Sequence, residues 1–319
     1  MSEPMANEVT FANGAVNLTG SVAFPRRGAA AVPGIVLIGG SGPADRDNDT
    51  YFPPLRQHLV DAGFAVLSYD KRGVGTSSGD WRKATLEDFA ADAAAALTFL
   101  RAQPEVQSTR VGMFGHSEGG WVALRATAGR EDLPWVVTSG CPGVTPAVQE
   151  RHELANIVRA GPSPHTERTL SRALDLYDSL MEAGRRDASF EELEGLVAAA
   201  GNPSWPGRLW GELDPSLWEF LKRKQDHDPL RDARRLSCPH LALFGAADPV
   251  VPVAESIGLF SAAAGHAERH PHATLTVEVF PGSDHRVQVD DGSCFAPGYL
   301  KTVARWLTTR DAAPGPASS

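Results

Sequence analysis

The chain has 319 residues and an average globular composition, 42% apolar and 22% charged, which fits one large domain or two small ones. Its net charge of −9 argues against nucleic-acid binding, which needs a positive surface. Three scattered cysteines, Cys141, Cys238 and Cys294, form neither a disulfide framework nor a CxxC zinc pair. With no signal-peptide pattern and no apolar run near the ~20 residues that span a bilayer, they point to a cytoplasmic protein without membrane partners.

The first strands are predicted over 8–11 and 15–24, around the turn dipeptide Asn13-Gly14. Val16, Leu18, Gly20 and Val22 alternate with Asn17, Thr19 and Ser21, a period of two that predicts one wet face. Short β-rich segments then recur at 34–39, 64–69, 110–114, 135–138, 240–244 and 274–280. Most lack alternation, as do strands of a parallel sheet covered on both faces. The clearest helix spans 85–102, with an apolar stripe from Leu86 to Leu100 and a near-capping box of Thr85 and Asp88. Strand–helix alternation implies right-handed crossovers and an α/β fold with a mostly parallel central sheet flanked by helices.

Between 144 and 235 only helices are predicted, at 147–160, 167–183, 190–200 and 215–225. Trp205, Trp210 and Trp218 lie here. They fill the core of a helical subdomain, face a substrate cleft, or do both. The tail, 311–319, is small and Pro-rich and is expected to be disordered. The division is therefore a catalytic core of 1–143 and 236–310, a helical cap of 144–235, and the tail.

Gly115-His116-Ser117-Glu118-Gly119-Gly120 follows one of these strands and opens a helical stretch from Trp121. A strand-to-helix turn this tight holds Ser117 as an exposed nucleophile, and the small residues relieve its crowding. A serine needs a base, and the base an orienting acid. Asp248 follows the apolar segment at 240–244, and His285 follows the one at 274–280. Both sit where open α/β sheets place their sites. Asp284 adjoins His285, so its side chain diverges from the imidazole; Asp226 and Asp228 remain as acids from an earlier strand. Ile38-Gly39-Gly40-Ser41-Gly42-Pro43 is a glycine turn that exposes backbone donors. The expected oxyanion hole is Ser41 N–H with Glu118 N–H, and Gly42 N–H is the alternative to Ser41.

Taken together these motifs resemble the α/β-hydrolase superfamily. Asp70-Lys71-Arg72-Gly73-Val74-Gly75-Thr76-Ser77 resembles the D-x-R-G-x-G-x-S segment after that family's fourth strand. Gly40-Ser41-Gly42-Pro43-Ala44-Asp45-Arg46-Asp47 resembles a branch of bacterial serine esterases with G-S-G-P-x-D-R-D here. Serine aminopeptidase-like hydrolases are related. The resemblance covers about 8–143 and 236–308, and 144–235 takes the position of the usual cap. One departure is Gly39, where that branch and many relatives carry a loop-supporting His.

The resemblance implies hydrolysis of a small carboxylic ester through an acyl-enzyme, with Ser117, His285 and Asp248 as the triad and neither metal nor organic cofactor. Peptidase, amidase and thioesterase chemistry use the same triad, and Glu153 or Asp214 offers an acidic anchor for a free amine. A water-excluding transferase or cyclase, or a binding protein, remains compatible with the fold. Epoxide hydrolase and haloalkane dehalogenase chemistry would need Asp at position 117. Asp45, Asp47 and Asp49 begin like a calcium loop, but Thr50 and Arg56 break it; they are expected to be turn charges capping the next helix. His266, His270 and His272 are expected at the surface. Gly73-Val74-Gly75 lacks the third glycine of a dinucleotide site.

Overall fold

The computed structural model describes residues 7–26, 30–161 and 166–311. The chain opens with β1 (Asn7–Asn13) and β2 (Val16–Ala23), an antiparallel hairpin pairing Asn13 with Val16. The turn residues are thus Gly14 and Ala15, one position later than expected, with Gly14 at φ 58°. Next come β3 (Val32–Ile38), α1 (Phe52–Asp61), β4 (Ala65–Tyr69), α2 (Leu86–Arg101), β5 (Val106–His116), α3 (Glu118–Thr127) and β6 (Val136–Ser139). Six helices follow: α4 (Pro146–Arg159), α5 (Thr166–Arg185), α6 (Phe190–Ala199), α7 (Trp205–Trp210), α8 (Pro215–Lys224) and α9 (Pro229–Ala233). The chain then returns as β7 (His240–Gly245), α10 (Val253–Ala264), β8 (Leu275–Phe280), the short pair β9 (Gln288–Val289) and β10 (Cys294–Phe295), and α11 (Tyr299–Asp311).

Eight strands form one sheet in the order β1-β2-β4-β3-β5-β6-β7-β8. Pairing is antiparallel at β1–β2 and β2–β4 and parallel from β4 onward. This is the α/β-hydrolase fold, as the sequence implied. The non-alternating strands are covered on both faces. Val36, Met113 and Val136 share one apolar cluster with Leu97, Leu124 and Phe260 of α2, α3 and α10. Ile35, Leu37, Phe114 and Val137 share the other with Leu55 and Leu59 of α1 and Leu307 of α11. Thr85 caps α2 in a full capping box with Asp88, which contributes about 1 kcal/mol.

Two expectations are corrected. The polar face of β2 is wet only at Asn17: Thr19 and Ser21 are buried. The loop after β4 covers Thr19, with Thr19 N–H donating to Ser77 Oγ and Thr19 Oγ1 donating to Asp70. The acidic turn at 45–49 does not cap α1, whose N-cap is Tyr51 without a side-chain bond. Instead Asp45 Oδ1 accepts from Asp47 and Asp49 N–H, while Asp47 pairs with Arg56 and Asp49 with Arg286.

Residues 146–233 between β6 and β7 are helical throughout their described elements. Trp205 and Trp218 are buried there, and Trp205 and Trp210 both pack on Tyr177. Among the described residues no helix is long and apolar enough to cross a membrane. The tail from 312 onward lies outside the described residues, and Asp311 is the last residue of α11.

Candidate active site

Ser117 stands between β5 and α3 with φ 54° and ψ −123°, a conformation that L-residues seldom adopt and that collects at functional turns. The packing shows why glycines stand two residues to either side of it. A Cβ on Gly115 would lie 2.0 Å from Gly119 O, and one on Gly119 would lie 2.3 Å from Ile38 O. Ser117 N–H donates to Ser139 O at 2.9 Å, tying the turn to the end of β6. The residue itself is half-buried.

Asp248 and His285 meet. Asp248 Oδ2 accepts from His285 Nδ1 at 2.8 Å, with the carboxylate side chain fully shielded and the imidazole 18% exposed. Asp248 Oδ1 accepts from Val250 N–H at 2.7 Å and Val251 N–H at 3.0 Å. The acid is therefore held by its own loop while its second oxygen faces the ring. The loop of His285 is held by Asp284, whose Oδ1 accepts from Arg286 and Gln288 N–H. Asp284 thus diverges from the imidazole. Asp228 caps α9 and Asp226 pairs with Arg185, so neither reaches His285.

His285 lies against the elbow. Its ring centroid is 5.1 Å from that of His116, the residue before Ser117. A Cβ on Gly140 would come within 3.1 Å of His285 Cε1, so the glycine after β6 makes room for the imidazole. Among the described residues Ser117 Oγ and His285 share no hydrogen bond. His116 is buried, and burial followed by the neighbouring His285 pushes its pKa well below the ordinary imidazole value. It stays neutral, with Nδ1 3.2 Å from Ser139 O. Beneath it Tyr51, Ser139 and Tyr299 join their buried hydroxyls, with Tyr51 OH 2.6 Å from Tyr299 OH.

The glycine turn lies on the other side of Ser117. A Cβ on Gly40 would be 3.5 Å from Ser117 Cβ. Gly40 N–H is occupied by Asn48 Oδ1 at 3.1 Å. Among the described residues Ser41 N–H, Gly42 N–H and Glu118 N–H have no hydrogen-bond acceptor, so this observation leaves Gly42 as the alternative to Ser41. Position 39 has no room for a side chain, since even a Cβ on Gly39 would lie 2.8 Å from Ala44 Cβ. Asn48 and Lys71 brace the turn instead: Lys71 Nζ donates to Gly40 O at 2.6 Å.

Sequence reasoning missed the charges beneath the elbow. Glu118 is buried, and its carboxylate accepts from Lys71 at 2.9 Å, Ser41 Oγ at 3.2 Å and Lys224 of α8 at 3.4 Å. Burial alone would raise its pKa; Lys71 and Lys224 outweigh burial and bring it to about 2. Lys224 also faces Glu150 of α4 at 3.6 Å, which accepts from Trp210 Nε1 at 2.9 Å. The Lys71 signal was present in the Asp70–Ser77 segment, where the flanking residues serve structure. Asp70 binds Arg46 and Arg72 binds Asp92, each at 2.7 Å. A cavity of about 430 Å³ lined by Thr85, Glu87, Arg125, Arg223 and His227 lies elsewhere and contains neither Ser117 nor His285.

Residues 13–278 match the pattern of the X-Pro dipeptidyl-peptidase (S15) family. The chain belongs to that family. This S15 member is similar to the esterase EstD of Thermotoga maritima, 25% identical over 306 residues, or 91% of this chain and 65% of EstD. It is also similar to the uncharacterized protein PA2218 of Pseudomonas aeruginosa, 32% identical over 135 residues, or 41% of this chain and 36% of that protein. The matches thus span under two thirds of either relative. Among solved structures the Pyrococcus furiosus esterase PF2001 superposes with a TM-score of 0.63 at 17% identity. That match covers 96% of this chain and 91% of the other, and it supports the fold.

Proposed function

We propose that this S15 family member is a serine hydrolase that cleaves small carboxylic esters through an acyl-enzyme. The observation that carries the reading is the 2.8 Å bond from His285 Nδ1 to the shielded Asp248 carboxylate, beside an elbow that strains Ser117 into φ 54°. Ser117 Oγ attacks the ester carbonyl as its proton passes to His285 Nε2. Asp248 fixes the tautomer and stabilises the imidazolium. The tetrahedral oxyanion accepts from Ser41 and Glu118 N–H. On its collapse the C–O bond breaks and the alkoxide leaves with the proton from His285. Water, deprotonated by His285, then releases the acid by the same route. The helices from α4 to α9 act as a cap over this site, and no cofactor is used. Three unpaired cysteines, of which Cys141 and Cys238 are buried, support a reducing, cytoplasmic setting.

A second reading, cleavage of aminoacyl or dipeptidyl substrates, is favoured by Glu153. Its carboxyl on α4 is near enough to His285 and Asp248 to interact electrostatically with both. Asp214, the other carboxylate considered as an amine anchor, caps α8 instead. The family name points to peptide cleavage and the name of EstD to ester cleavage. The test is labelling with a fluorophosphonate, mapped by mass spectrometry, alongside turnover of nitrophenyl esters and aminoacyl anilides. Labelling at Ser117 with ester turnover is expected. No labelling overturns the serine-hydrolase reading, and anilide turnover above ester turnover replaces the first reading with the second.

A further inference from the structure

The Gly40–Ser41 peptide is held from its carbonyl side. Lys71 Nζ donates to Gly40 O at 2.6 Å, and the same ammonium donates to Glu118 Oε1 at 2.9 Å. The Lys71 side chain is only 9% exposed, and Nζ lies 4.9 Å from the Phe89 ring centroid, so aromatic and acidic groups confine it. The peptide is trans, so its C=O and N–H point in opposite directions. Fixing Gly40 O therefore fixes the direction of Ser41 N–H. A cation on the oxygen also draws electron density through the amide and makes its N–H a stronger donor.

The second donor is tied to the same ammonium. Glu118 carries it, and the Glu118 carboxylate also accepts from Ser41 Oγ at 3.2 Å. One buried ion pair thus grips Ser41 and Glu118, whose N–H groups, like that of Gly42, have no acceptor among the described residues. Gly40, between them, stands against Ser117.

We propose that Lys71 is a positioning residue of the oxyanion hole: bonded to the Gly40 carbonyl and the Glu118 carboxylate, it orients and polarises the Gly40–Ser41 peptide whose N–H receives the developing negative charge. The inference rests on the serine-hydrolase reading above. Lys71 touches no substrate atom.

The test is Lys71→Met, with kcat for nitrophenyl butyrate expressed per active site titrated by fluorophosphonate. Deleting an oxyanion donor costs about 10²–10³ in kcat; loosening one is expected to cost about 30-fold. KM should stay within about threefold, because the contact matters only once charge develops. Inhibition by a trifluoromethyl ketone, which forms a tetrahedral oxyanion on the serine, should weaken by the same factor as kcat/KM. A merely structural lysine would instead lower the number of titratable sites and leave kcat per site and the ketone affinity unchanged. That outcome overturns the proposal. If Lys71→Met does not fold, the double variant Lys71→Met, Glu118→Gln removes both charges of the pair and leaves Lys224 with Glu150 as its partner, and the same two readings decide. A wild type that neither turns over nor labels at Ser117 removes the serine-hydrolase reading. A wild type active through Ser117, beside a Lys71→Met variant with wild-type kcat, removes only the role of Lys71.

Discussion

Replacing Asp248 by Asn tests the triad at its most specific contact. The two carboxylate oxygens have different neighbours: Oδ1 accepts from two backbone N–H groups, and Oδ2 accepts from His285 Nδ1. An asparagine must divide oxygen and NH₂ between these places. With its oxygen toward Val250 and Val251 N–H, its NH₂ donates to Nδ1. The proton of the neutral ring then sits on Nε2, where it cannot accept from Ser117. Turning the amide over restores the tautomer but sets NH₂ against two donors. Each buried donor so stranded costs about 1–3 kcal/mol, about 2–6 kcal/mol for both. At 1.36 kcal/mol per decade this is a loss of about 30-fold to 10⁴-fold in kcat. The upper end agrees with the roughly 10⁴-fold loss for the same change in a serine protease of another fold. The assay is ester turnover per titrated site above pH 7, with Asp284→Asn and Asp228→Asn beside it. Those two only organise a loop and cap a helix and should retain most of their kcat. A Asp248→Asn variant within threefold of wild type, or a crippled Asp228→Asn, would refute the reasoning.

Ser117→Ala is expected to abolish turnover while leaving the melting temperature nearly unchanged, since Ser117 Oγ forms no hydrogen bond among the described residues; more than a tenth of the activity surviving would move the nucleophile elsewhere. Gly115→Ala should destabilise by about 3 kcal/mol or more, because its Cβ would meet Gly119 O at 2.0 Å. Gly195→Ala, in exposed helix with nothing within 4 Å of a new Cβ, should stabilise by about 0.5–1 kcal/mol; urea unfolding of the pair checks both signs. Glu118, brought from 4.5 to about 2 in the folded chain, contributes stability that is complete above about pH 4.5 and lost as pH falls toward 2. The contribution is on the order of 3 kcal/mol. Glu118→Gln should therefore flatten the acid limb of stability against pH, and parallel curves for variant and wild type would contradict this.

The elements and the triad candidates were legible because their signals are local. A buried parallel strand needs a continuous apolar run, as in β4 and β7, which are buried along their whole length. A capping box needs only Thr85 and Asp88, three residues apart. The elbow is written in glycines because Gly115 faces Gly119 O within the same turn, although Gly119 itself faces Ile38 O at the distant end of β3, and Asp248 and His285 each follow a strand whose pattern is clear. What tertiary structure decided is the environment of polar residues. Nothing in the alternation of β2 reveals that Thr19 and Ser21 are buried, because the loop covering Thr19 and the β4 serine, Ser68, beside Ser21 lie about 50 residues away. Asn48 reads as one more turn residue until its Oδ1 is found on Gly40 N–H. The chain of Lys71, Glu118, Lys224 and Glu150 joins an early loop, the elbow and two helices of the insertion, with Lys224 and Glu118 separated by 106 residues. A charged residue is tolerated inside a protein only when partners arrive there to meet it. The sequence carries the charges, and only the packing of the insertion on the core decides which of them meet.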